Sequence, residues 1–81
     1  MVRYLIKRTH FPAGADVPNW ITYAGKRGII VDSSNMDQVE EFGYTGEKSA
    51  LRGLRSWEAT VEHMANRGEK LILEVETLDF R

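Results

Sequence analysis

The chain holds few residues whose type and spacing do chemistry. Its two histidines, His10 and His63, are its only imidazoles, and it has no cysteine. A zinc site would need both histidines to converge with carboxylates such as Asp16, Glu58 or Glu62, and no ligand spacing in the chain enforces this. Glu58 and Glu62 stand one helical turn apart, a spacing that paired carboxylates use and that any solvated helix face also shows. Ser33, Ser34, Ser49 and Ser56 lack the flanking glycines of a nucleophile elbow, and no motif supplies a base for them. Gly25-Lys26-Arg27-Gly28 lacks the Gly-Lys-Ser/Thr ending of a phosphate-binding loop and reads as a turn. The expectation is a non-enzyme with no catalytic residue, metal, cofactor or small-molecule ligand.

Binding is the chemistry left. Lys26 and Arg27 on the turn, with Lys48, Arg52 and Arg55 on a helix, are the candidate nucleic-acid contacts. Tyr4, Trp20 and Tyr23 are possible stacking faces on a sheet. Opposing that reading are the Glu40-Glu41 pair, an acidic last strand, and a charge of −1 from 11 basic and 12 acidic side chains. Such a balance exerts no general pull on a polyanion, and no helix-turn-helix partner for a recognition helix is visible.

The element that must position the helical bases runs from Glu47 to Asn66. Ala50, Leu54, Trp57, Val61 and Met64 recur at spacings of four and three, which places them on one stripe of a single long helix, continuous or slightly kinked. Thr45 or Gly46 caps its start, and Gly68 suits the left-handed residue beyond its end. Gly53, costly inside a helix, marks a close approach or a break with Ser56 as a second cap. The charges oppose the helix dipole, with Lys48, Arg52 and Arg55 early and Glu58 and Glu62 late. Trp57 is expected to be largely buried against the sheet.

Strands supply the rest. Val2–Arg8 alternates as a first strand, and Thr9–Pro18 follows as a loop opened by His10. Asn19–Ala24 and Ile29–Val31 form a hairpin with Lys26 and Arg27 exposed at its tip. Ser34 and Asp37 suit a single helical turn through Met36 and Val39. Glu40–Tyr44 reads equally as a short strand or an extended lead-in. Lys70–Thr77 is the last strand, with Leu71, Leu73 and Val75 on one side and Glu74 and Glu76 on the other. The basic first strand and acidic last strand are expected to pair within the chain.

These 81 residues, 42% of them hydrophobic, suffice for one domain, spanning 1–81. The fold expected is α+β: an antiparallel sheet of three to five strands with one long amphipathic helix packed on one face. The first residues lack a signal-peptide pattern, and no apolar run approaches the roughly 20 residues that span a bilayer. With the absence of cysteine, this favours a cytoplasmic location and no membrane contact.

The opening Tyr4-Leu5-Ile6-Lys7, the short hairpin, Val39-Glu40-Glu41-Phe42 and a helix beginning near Lys48-Ser49-Ala50 resemble small uncharacterised proteins encoded by bacteria and their phages. That resemblance implies an intracellular accessory protein and carries no catalytic residue. The function expected is non-catalytic binding to another protein or to a second copy, with nucleic-acid binding as the alternative.

Overall fold

Leu5 and Ile6 are consecutive, both fully excluded from solvent, and in a strand they must point to opposite sides. The sheet is therefore covered on both faces at that point. The computed structural model describes residues 1–80, and its strands are β1 (Val2–Phe11), β2 (Trp20–Ala24), β3 (Ile30–Val31) and β4 (Lys70–Asp79). They form one antiparallel sheet in the order β3-β2-β1-β4. The two chain-terminal strands lie side by side along their whole length, from Val2 opposite Asp79 to Phe11 opposite Lys70. Lys7 faces Glu74 across that ladder, so the expected internal pairing of basic and acidic strands is observed.

On the face of Leu5 sits α1 (Met36–Phe42). Val39 packs there with Leu5 and Val31, and Tyr23, Phe42, Leu78 and Phe80 close around them. Fully burying side chains such as Leu5 and Val39 contributes about 1.5–3 kcal/mol each. Asn35, not Ser34, caps α1: its side-chain oxygen accepts from the amides of Asp37 and Gln38. The ambiguous stretch thus resolves into a helix of two turns. It is followed by Tyr44, whose amide and carbonyl exchange hydrogen bonds with Tyr4 on β1.

The opposite face, that of Ile6, carries the long helix. It is bent into α2 (Glu47–Ser56) and α3 (Glu58–Asn66), with Trp57 between them at φ −88° and ψ −4°. Ala50 is buried against this face, and Ala24 and Leu71 are buried beside it. The bend removes much of the apparent dipole conflict. Arg55 now lies in the last turn of α2 and Glu58 in the first turn of α3, each at the helix end that favours its sign. Ser56 caps nothing; its hydroxyl donates back to the carbonyl of Gly53.

Gly53 marks a close approach rather than the break. A Cβ there would overlap the Tyr44 hydroxyl and come within 3.2 Å of Ile6 Cδ1. After α3, Gly68 takes φ 76° while the amide of Glu69 reaches the carbonyl of Met64, closing the helix as a Schellman motif. That closure aims Glu69 back at the sheet. No helix among the described residues is long and apolar enough to cross a membrane.

Candidate interaction surfaces

The basic residues named from sequence fall into two neighbouring groups. Lys48, Arg52 and Arg55 lie along one face of α2 and, with Leu51, line an open depression of about 370 Å³. The turn carrying Lys26 and Arg27 packs against α2, with Gly28 beside the Trp57 ring at the helix's far end. Arg27 is exposed as expected, whereas Lys26 is half-buried. None of these bases has a carboxylate within 4.0 Å among the described residues. Arg27 adopts φ 59° and ψ 22°, and Gly28 follows at φ 74°. The amide of Ile29 closes this turn onto the carbonyl of Lys26, so two successive left-handed residues form the hairpin connection.

The aromatic residues do not assemble a free stacking platform. Tyr4 and Trp20 lie on the face that carries α2 and α3, while Tyr23 is on the other and belongs to the α1 core. Trp20 stacks instead on His10, with centroids 4.8 Å apart and planes 13° from parallel. Arg8 adds its guanidinium over both tryptophans, 5.2 Å from Trp20 and 4.1 Å from Trp57. Burial lowers the Arg8 pKa, and its Nη1 donates to Thr22 Oγ1 at 3.3 Å. Trp57 keeps only a minor part of its surface exposed and lies under this cation from the sheet, as expected.

His10 corrects an expectation. It does not open a loop: β1 continues to Phe11, and His10 is only 6% exposed. Its Nε2 lies 2.6 Å from Glu69 Oε1, and Arg67 Nη2 lies 2.8 Å from Glu69 Oε2. The hydrogen bond to His10, and secondarily the charge of Arg67, hold the Glu69 carboxyl below its usual range. Both carboxylate oxygens are engaged, and Glu69 ties the α3–β4 turn to β1. His63, by contrast, is exposed on α3.

One apolar surface was not located by reading the sequence. α1 covers only the Leu5 end of its face. Beyond it, Thr9 stands between Ile21 on β2 and Ile72 on β4, and those isoleucines are 47% and 36% exposed. Lys7, between Tyr23 and Glu74, borders this row on one side, and the pair Phe11 and Lys70 borders it on the other. The sequence signal was Ile21 alternating against Trp20 and Thr22, but which face stays open depends on where α1 docks.

The chain matches no protein-family model, and neither a curated protein nor a solved structure matches it.

Proposed function

We propose that the chain is a non-catalytic interaction module that contacts another protein through the uncovered half of its α1-bearing sheet face. The observation that carries this reading is the exposed row Ile21–Thr9–Ile72, an apolar strip on a rigid antiparallel sheet, bordered by Lys7, Glu74 and Lys70. The polar groups with catalytic potential add support from the other side: Glu69 Oε1 and His10 Nε2 are engaged with each other.

The test is capture of partners from the source cell by the wild type, by Ile21→Asp and by a variant with Lys48, Arg52 and Arg55 changed to Gln. Ile21 is 47% exposed, and a melting curve of Ile21→Asp confirms that the variant used is folded. Loss of a captured protein with Ile21→Asp and its retention with the triple variant is expected. Retention of every captured protein by Ile21→Asp would overturn the reading.

Nucleic-acid binding through Lys26, Arg27, Lys48, Arg52 and Arg55 is the second reading, favoured by the packing of the basic turn against the basic helix. A gel-shift titration at two salt concentrations checks it. Phosphate contacts would make affinity fall steeply with salt, and the triple Gln variant would lose it.

A further inference from the structure

We propose that the partner of the sheet is a second copy of this chain, joined edge to edge through β4 in one defined register. The inference rests on the reading above in taking the sheet as the interaction element, and it adds a second contact, at the β4 edge rather than on the open face.

β4 is an edge strand, and its free side is written in the hydrogen-bond pattern. On β1 the main-chain groups of Tyr4 and His10 point away from β4, to Tyr44 and Asn19. The alternate residues Arg3 to Phe11 therefore point to β4, where Leu78, Glu76, Glu74, Ile72 and Lys70 answer them. The intervening residues, Leu71, Leu73 and Val75, turn their amides and carbonyls outward, and no other segment among the described residues receives them. This edge is long and unbulged, the kind that pairs with another strand unless charge forbids it.

Charge selects the register. A two-fold axis at Val75 would set Glu74 against Glu76 of the second copy, twice over. An axis at Glu74 sets that carboxylate against itself, and one at Leu73 pairs Lys70 with Glu76 but faces Glu74 with the apolar Ile72, twice over. An axis at Ile72 opposes no like charges within the ladder, which then spans Lys70–Glu74 of each copy: Ile72 meets Ile72, Lys70 meets Glu74, and Leu71 exchanges main-chain hydrogen bonds with Leu73 of the second copy. Lys70 and Glu74 are both exposed, and neither has an ion-pair partner among the described residues. The half-exposed Ile72 would be covered by its twin, and the apolar rows of the copies would merge into one strip across a continuous sheet.

Sedimentation velocity over a concentration series tests this. The wild type is expected to dimerise. Lys70→Glu and Glu74→Lys each turn both cross-strand attractions into repulsions and should raise the dimer Kd roughly tenfold or more. An equimolar mixture of the two variants should restore the dimer, because the acid introduced at position 70 then meets the lysine introduced at position 74. Ile21→Asp, two strands away, should leave it intact. If charge reversal perturbs folding, amide exchange of the wild type decides: the outward N–H groups of Leu71 and Leu73 should slow with rising concentration. A wild type that stays monomeric, a dimer indifferent to both reversals, or a mixture that fails to reassociate overturns the proposal. A monomer that still loses a captured protein on Ile21→Asp would overturn the dimer alone and leave the interaction module standing.

Discussion

The Arg8 guanidinium carbon lies 4.1 Å from the centroid of the Trp57 ring, at the point where the long helix bends. A cation brought from the central strand thus meets the one residue shared by the ends of α2 and α3. Truncating Trp57 removes partly buried ring area and uncovers the cation. Trp57→Ala should cost about 2–3 kcal/mol, below the roughly 3–5 kcal/mol of a fully buried tryptophan. A double-mutant cycle with Arg8→Met, read from urea melts, should give a coupling of about 1 kcal/mol. A coupling near zero would mean that the stacked geometry contributes nothing.

Gly53 offers a sharper test, because two principles predict opposite signs. Alanine is favoured over glycine inside a helix by about 1 kcal/mol. Here, however, a Cβ would overlap the Tyr44 hydroxyl and crowd Ile6 Cδ1. Burial also raises the Tyr44 pKa, so its hydroxyl is partly withdrawn from water at this contact. Overpacking of this kind typically costs about 1–3 kcal/mol and should win. Gly53→Ala is expected to lower the melting temperature, and Tyr44→Phe in the same chain to recover only part of the loss.

What was legible in the sequence was whatever has a local period. The alternation of Leu71, Leu73 and Val75 with Glu74 and Glu76 identified β4 and its two sides, and the Ala50-to-Met64 stripe identified the helical face. The apparent conflict of Arg55 and Glu58 with a single helix dipole was in fact a mark of the bend, since each charge suits the end of a shorter helix. The His10–Glu69 contact joins residues 59 apart. It was illegible because β1 outruns its own alternating pattern, held to Phe11 by the pairing with Lys70. The open face at Ile21 and Ile72 was hidden for a related reason. It is defined by the register between strands distant in sequence and by where a two-turn helix stops covering them.

Arg27 holds a left-handed conformation, φ 59°, that costs a side chain with a Cβ about 1–2 kcal/mol and that asparagine tolerates better. Arg27→Asn should therefore stabilise the hairpin. A gain of about 0.5 kcal/mol would raise the melting temperature by roughly 2–4 °C in a chain of this size. Scanning calorimetry reads this directly. An unchanged or lower melting temperature would mean that the arginine makes a compensating contact across the turn, toward α2.

Glu69 sets an acid limit on stability. Its carboxyl is held below the ordinary range, first by the hydrogen bond from His10 and then by Arg67, so the folded chain binds this proton less readily than the unfolded chain. The stabilisation is complete above the unfolded glutamate pKa of about 4.3 and is lost as pH falls through the lower folded value. Glu69→Gln keeps the shape but removes the charge. At neutral pH the variant should unfold at lower urea than the wild type, freeing the α3–β4 turn from β1. As pH is lowered from about 5 to about 3, the wild-type midpoint should fall towards that of the variant, whose own profile should be flatter. Parallel profiles across that window would show that the 2.6 Å contact between His10 and Glu69 does not depend on the carboxylate charge.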